Sequence, residues 1–105
     1  MSKIYIVQDQ KDLDLSAAKP FGEIEYVFPA RTNIYEIDAL RKMAIDKLKD
    51  FKEEEDYFLI VGNRVLNIIL FFILIDKYCI DKLKVLIYQS MTKTYVERVF
   101  IFESA

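Results

Sequence analysis

The chain has 105 residues, of which 53% are hydrophobic and 30% charged, and its formal net charge at pH 7 is −2. This size and balance indicate one globular domain spanning residues 1–105; they exclude a disordered chain, and the basic stripe typical of nucleic-acid-binding proteins is missing. The chain has no histidine and one cysteine, Cys79, which excludes a histidine-based catalytic triad, a disulfide within the chain and a cysteine-cluster metal site.

Two strands and an irregular connection are predicted in the first third of the chain. Lys3–Gln8 is rich in β-branched and aromatic residues and predicts a buried strand. Residues 11–22 show no sustained periodicity, so we expect a connection that covers one face of the sheet, with a short helical turn near Ser16. Apolar and acidic residues alternate at the start of Glu23–Phe28, which predicts a strand near an edge of the sheet.

An amphipathic helix is predicted next. Asn33 and Glu36 have the spacing of a capping box, and apolar residues recur at three- and four-residue steps from Ile37 to Phe51. The acidic run at residues 53–56 is unfavourable at the C-terminus of a helix, because it meets the negative end of the helix dipole. We therefore expect this helix to end near Lys52.

The most apolar stretch of the chain lies between Tyr57 and Ile80. Asp56–Val61 is apolar after its first residue and predicts a central strand covered on both faces. The run Val65–Ile75 contains a single polar residue, but it is shorter than the roughly 20 residues that cross a bilayer. We therefore predict no membrane association. Cys79 lies among apolar neighbours and is predicted to be buried.

The Gly62-Asn63 pair before this apolar run allows two interpretations. Gly-Asn between apolar runs is typical of a hairpin turn, whereas asparagine is also a good helix cap. The run that follows is too long for an ordinary strand, and length decides between strand and buried helix where periodicity does not. The sequence therefore favours a helix from Arg64 to Tyr78.

A hairpin is predicted at the end of the chain, from Leu83–Gln89 and Thr94–Phe102. The resulting order β-β-α-β-α-β-β predicts a small Rossmann-like α/β domain, with a mostly parallel sheet of four or five strands and two helices. If the second, third and fourth strands progress in one direction across the sheet, right-handed crossovers should place both helices on the same face. The opposite face would then have only residues 11–22 as its cover.

The second predicted helix has no polar side. In a two-layer domain of this size one side of such a helix should face water, so another surface is needed to cover it. A second copy of the chain is the simplest cover, and we predict a homodimer or larger homo-oligomer. The predicted interface residues are Ile68, Phe71, Phe72 and Ile75.

Polar residues follow the predicted strands at the edge where open parallel sheets bind ligands. Two of these segments also open helices, whose free N–H groups suit an anion. Neither a dinucleotide-binding nor a P-loop motif is present, and caps and turns need the same residue types. Asn67 needs a partner within its apolar helix and faces either this edge or its own copy. The candidate ligand-binding residues are Asp9, Arg31, Asn33, Gly62, Asn63, Arg64, Asn67 and Ser90.

The side chains with suitable chemistry for catalysis are those of Asp9, Tyr35, Glu36, Cys79 and Ser90, but no pair of them has a spacing that implies acid–base catalysis. We therefore predict no catalytic residue, cofactor or metal, and we favour a non-enzymatic protein of the cytoplasm. The first hypothesis is an interaction or assembly protein that covers itself or a protein partner. The alternative is a sensor or carrier of a small anion such as a nucleotide.

The layout of strand, Gly-Asn, apolar helix and strand across residues 56–89 is similar to that of small α/β proteins carried by viruses and plasmids. This resemblance implies an origin in a virus or another mobile element. It implies no particular activity.

Overall fold

The computed structural model describes residues 2–9 and 14–102, and its elements follow the predicted order. The apolar run that follows Asn63 forms a helix, Arg64–Asp76, so the helix interpretation is confirmed and the hairpin alternative at residues 62–63 is wrong. The elements are β1 (Lys3–Ile6), a 3-10 helix (Ser16–Phe21), β2 (Glu23–Tyr26), α1 (Ile37–Leu48), β3 (Tyr57–Leu59), α2 (Arg64–Asp76), β4 (Lys82–Gln89) and β5 (Thr94–Ile101).

The five strands form one mixed sheet in the order β2-β1-β3-β4-β5. β1 pairs in parallel with β2 and with β3, and β3 pairs in parallel with β4. β5 is antiparallel to β4 over eight residue pairs, from Lys82–Ile101 to Gln89–Thr94. The prediction of a mostly parallel sheet with a C-terminal antiparallel hairpin is therefore confirmed, and β2 lies at an edge as expected.

The two faces of the sheet have different covers. Both α-helices pack on one face, where Leu40 of α1 and Leu70 of α2 share a buried cluster with Phe58 of β3. The 3-10 helix covers the other face, where Ala18 packs with Ile4 and other strand residues. This distribution follows from right-handed crossovers, since β1 to β2 runs in one direction across the sheet and the two helical connections run in the other.

The entry into β2 depends on Gly22. A Cβ atom at this position would lie 2.4 Å from the backbone oxygen of Ser2, which is too close for any side chain. The same oxygen accepts a hydrogen bond of 3.0 Å from the backbone N–H of Glu23. Glycine is therefore required where the 3-10 helix brings the chain back beside β1. Residues 11–13 of the predicted connection lie outside the described residues.

The first helix is shorter than the predicted span at both ends. The side-chain oxygen of Asn33 accepts a hydrogen bond from Tyr35 N (3.0 Å) and closes a local turn, so the predicted capping box does not form. α1 begins at Ile37 instead. It ends at Leu48, because Phe51 N donates to the Leu48 oxygen and the chain turns away there.

The central strand and the segment after α2 also differ from expectation. β3 stops at Leu59, so Ile60 is exposed and is not covered on both faces as predicted. α2 ends at Asp76, two residues before the predicted end. Cys79 is exposed, and the prediction that it is buried is wrong. Its φ of 50° reverses the chain after the helix, which turns the side chain away from the core.

Candidate functional site

α2 has a buried face and an exposed face, and both are apolar. Leu66, Leu70, Ile73 and Leu74 are buried in the core. On the opposite side Ile68 is 66% exposed and Phe72 is 62% exposed, while Phe71 is 41% exposed. The charged residues of the helix stand at its two ends, Arg64 and Asp76. The outer face of α2 therefore presents apolar side chains to solvent along about two turns.

Two shallow clefts flank this outer face. One has a volume of about 260 Å³ and lies between α2 and the end of β3; its walls include Ile60, Ile68 and Phe71. The other has a volume of about 210 Å³ and lies between α2 and α1; Ile37 and Phe72 form part of its walls. We define the α2 patch as the exposed apolar residues along these clefts: Ile37, Ile60, Ile68, Phe71 and Phe72.

Three of the four predicted interface residues belong to this patch. Ile68, Phe71 and Phe72 lie in it, whereas Ile75 is only partly exposed. Phe71 also packs edge-to-face against Phe102 with ring centroids 5.7 Å apart, so it joins the patch to the residue that follows β5. The patch exposes apolar area that an isolated domain would be expected to cover.

Ile37 and Ile60 were not predicted to be exposed. Each lies at the end of an element: Ile37 is the first residue of α1, and Ile60 directly follows β3. Their apolar character suggested burial, and the periodic pattern does not show where an element ends. The predicted exposed residues of α2 could have indicated this exposure. Apolar residues at the ends of elements packed beside that face of α2 also lack a covering layer.

Asn67 is held by the chain itself. Its side-chain amide donates hydrogen bonds to the backbone oxygens of Val61 (3.0 Å) and Asn63 (2.8 Å). Its side-chain oxygen is buried and has no hydrogen-bond partner among the described residues. Asn67 therefore fixes the turn between β3 and α2, which accounts for an amide in this apolar helix.

Replacing Asn67 by aspartate should lower the free energy of unfolding by about 2 kcal/mol, because a carboxylate oxygen would replace the amide group that donates to two backbone oxygens. Asn33→Asp is the matched control, since Asn33 uses its side-chain oxygen as an acceptor and aspartate preserves that bond. Urea denaturation of both variants measures the difference. Equal midpoints for the two variants would contradict the structural role of the Asn67 amide.

The N-terminus of α2 is capped by its own sequence. Gly62 has φ = 85°, and the side-chain oxygen of Asn63 accepts hydrogen bonds from the N–H groups of Val65 (2.8 Å) and Leu66 (3.3 Å). These are two of the donors that an anion at a helix N-terminus uses. The geometry gives Asn63 and Asn67 structural roles. Their predicted role in binding an anion stays a prediction.

The other candidate ligand-binding residues are exposed at the carboxyl ends of the strands. Asp9 follows β1, Arg31 precedes α1, and Ser90 begins the turn after β4. Arg64 is exposed at the start of α2, and Asn33 belongs to the turn before α1. The parallel strands bring these segments to one edge of the sheet, as predicted. Their assignment as ligand-binding residues stays a prediction.

The loops at this edge are fixed by side-chain hydrogen bonds. The Gln8 amide donates to the backbone oxygens of Pro29 (2.9 Å) and Ala30 (3.2 Å). Burial, with the nearby charge of Asp9, raises the pKa of the Tyr26 hydroxyl. The segments after β1 and β2 therefore hold one another in place.

Among residues 2–9 and 14–102, no helix has both the length and the apolar character needed to cross a membrane. α2 is the most apolar of them, but at 13 residues it spans about 20 Å, which is less than the hydrocarbon core of a bilayer.

No curated protein and no solved structure matches the chain. A protein-family model described as "Phage Pam3 gp32-like protein" matches residues 2–101, which include all five strands, both α-helices and the whole α2 patch. The chain therefore belongs to the Phage Pam3 gp32-like protein family.

Proposed function

We propose that this phage-family protein is an interaction or assembly module that works as a homodimer, with the α2 patch as the contact surface. The observation that carries the proposal is the outer face of α2, where Ile68 and Phe72 are mostly exposed and no charged residue lies between Arg64 and Asp76. Large apolar patches with a polar rim are typical of protein–protein contact surfaces.

A second copy is the occupant that the charges favour. The outer face of α2 is neutral along its centre, with a cation at one end of the helix and an anion at the other, and Arg41 of α1 lines the adjoining cleft. Such a surface is complementary to itself, because one copy can present the charges in the reverse order. A partner of uniform charge would match only one end.

The energetic scale favours a weak, reversible dimer over a permanent one. Fully burying an apolar side chain contributes about 1.5–3 kcal/mol, so covering the partly exposed side chains of the five patch residues in each of two copies contributes on the order of 10 kcal/mol. Association costs roughly 4–15 kcal/mol in translational and rotational freedom. The two terms are similar, so the dimer should dissociate as the protein is diluted.

The proposal predicts that the mass measured by sedimentation or light scattering corresponds to two chains at high micromolar concentration and falls on dilution. Phe72→Lys should give the mass of one chain throughout, because a charge would lie at the centre of the contact. Ile101→Lys is the matched control: Ile101 is also exposed (73%) but lies on β5, and this variant should remain dimeric.

Circular dichroism distinguishes loss of the dimer from loss of the fold, since both variants should retain the spectrum of the unmodified chain. A mass of one chain for the unmodified protein at all concentrations would refute the proposal. If Phe72→Lys and Ile101→Lys showed the same mass at every concentration, the assignment of the contact to α2 would be contradicted.

A further inference from the structure

We infer that the two copies pair α2 against α2 in antiparallel orientation about a two-fold axis, with Arg64 of each copy beside Asp76 of the other. This inference rests on the proposed homodimer and specifies its geometry. The two-fold axis then passes α2 at the level of Leu70, which is midway along the helix between Arg64 and Asp76.

The spacing of four residues along α2 carries the argument. Arg64, Ile68, Phe72 and Asp76 recur at intervals of four, so they form one ridge on the outer surface of the helix. All four are exposed. Along the ridge a cation is followed by two apolar side chains and an anion. Two such ridges are complementary when the helices of the two copies run in opposite directions.

Antiparallel pairing matches every member of this ridge. Arg64 then lies level with Asp76 of the second copy, and Ile68 lies level with Phe72 of the second copy. The two charged residues are twelve positions apart, or about 18 Å along the helix, so both ion pairs form at the rim of the contact. Parallel pairing would instead place like charges together at each end and is disfavoured.

Neither charge is neutralised by an ion pair within the described part of the chain, in which Lys47–Glu25, Lys49–Asp46 and Lys82–Glu54 are the pairs formed. The side chains of Arg64 and Asp76, at the two ends of the ridge, can therefore form ion pairs with a second copy. Each also occupies the less favourable end of the helix dipole, since a cation is at the N-terminus and an anion at the C-terminus.

The cleft between α1 and α2 is a binding position for the phenyl ring of Phe72 from the second copy. In the antiparallel arrangement Phe72 of the second copy lies at the level of Ile68, over the cleft that Ile37, Ile69 and the side chain of Arg41 help to line. The cleft volume of about 210 Å³ accommodates a phenyl ring. Occupation of this cleft would also cover Ile37, which is 49% exposed at the start of α1.

Exchange of the two charges tests the arrangement. Arg64→Asp and Asp76→Arg should each raise the dimer dissociation constant about tenfold or more, because each creates two like-charge contacts across the axis. The double variant Arg64→Asp/Asp76→Arg restores opposite charges and should return the dissociation constant to near that of the unmodified chain. Sedimentation equilibrium measures all four proteins.

The variants are suited to this test because they favour the helix itself. An aspartate at the N-terminus and an arginine at the C-terminus both improve the interaction with the helix dipole, so the thermal midpoint of each monomer should not fall. Weaker association would then reflect the contact and not the fold.

Failure of the inference and failure of the proposed function give different results. If the unmodified chain dimerises and Phe72→Lys dissociates it, but the double variant stays as weak as the single variants, the antiparallel geometry is overturned and the homodimer stands. If the unmodified chain is a single chain at every concentration, both are overturned.

Discussion

Replacing Asp56 by alanine should lower the free energy of unfolding by about 3–5 kcal/mol. Asp56 is the one charged residue buried in the described part of the chain, with 3% of its surface exposed. One carboxylate oxygen accepts a hydrogen bond from Lys3 N (2.9 Å), and the other accepts one from Lys52 N (2.8 Å). Alanine would leave both backbone donors without these acceptors, and each hydrogen bond to a charged group contributes about 1.5–3 kcal/mol.

These hydrogen bonds close the loop between α1 and β3 and tie it to the start of β1. Lys3 begins β1, Lys52 lies in the loop after α1, and Asp56 directly precedes β3. Asp56 N also donates to the Lys52 oxygen at 2.8 Å, which closes the loop. Loss of the carboxylate should therefore loosen the amino end of the parallel sheet as well as the loop.

Urea denaturation measures the effect, with Glu55→Ala as the control because Glu55 is exposed and adjacent in sequence. The control should change the free energy of unfolding by less than about 0.5 kcal/mol. Asp56→Asn should fall between the two, since its amide retains one acceptor oxygen. A loss below about 1 kcal/mol for Asp56→Ala would contradict the structural role of this carboxylate.

The role of Asp56 was not evident in the sequence, where the residue marked only the start of a strand. Its partner Lys3 lies 53 positions away, and no local pattern indicates a hydrogen bond over that separation. The same holds for Tyr78, whose hydroxyl donates to the Ile45 oxygen at 2.6 Å and ties the end of α2 to α1. Tertiary hydrogen bonds of this kind depend on the assembled layers.

Local chemistry explains which helix boundaries were predicted. α2 was placed correctly at its start because Asn63 caps it through bonds to residues two and three positions on. The same reasoning failed for Asn33, whose side chain bonds to Tyr35 N and stabilises a turn before the helix. Asparagine favours both arrangements, and the residues that follow decide between them.

The sheet order was not predicted from the sequence, but the handedness of the connections relates that order to the face on which each cover lies. The connections through α1 and α2 cross the sheet in one direction, and the connection from β1 to β2 runs in the other. The α-helices and the 3-10 helix therefore lie on opposite faces, where they pack in the clusters around Leu40 and Ala18. The Rossmann-like description stays a prediction. So does the ligand site at the strand ends, because its residues also serve as caps and turn formers.

The α2 part of the candidate contact surface followed from hydrophobic patterning, whereas Ile37 and Ile60 did not. A helix without a polar side in a two-layer domain must expose apolar residues, and Ile68 and Phe72 do so. Ile75 is partly covered, which the pattern did not distinguish. The phage family agrees with the expected viral or mobile-element origin.

Alkaline conditions should reveal the burial of Tyr5. Burial, with the charges of Asp56, Glu25 and Asp50, raises the pKa of Tyr5 from its ordinary value of 10.0 to about 12. Between these two values the unfolded chain has lost the phenolic proton and the folded chain retains it. The unfolded state then binds fewer protons, so the free energy of unfolding falls as the pH rises.

The contribution of Tyr5 is fully present below pH 10 and is lost as the pH rises through 12, with a total of about 3 kcal/mol at about 1.4 kcal/mol per pH unit. Tyr5→Phe has no proton to lose at this position. Its stability relative to the unmodified chain should therefore improve by about 1.4 kcal/mol between pH 9 and pH 11.

Urea denaturation of both proteins at several pH values gives this difference directly. Burial also raises the pKa values of Tyr26, Tyr57 and Tyr95, so both proteins should lose stability in alkali. The comparison isolates Tyr5, because those three residues are common to both chains. Parallel stability curves for Tyr5→Phe and the unmodified chain would show that the Tyr5 hydroxyl reaches solvent in the folded state, contrary to its position beneath α1 and beside Phe51.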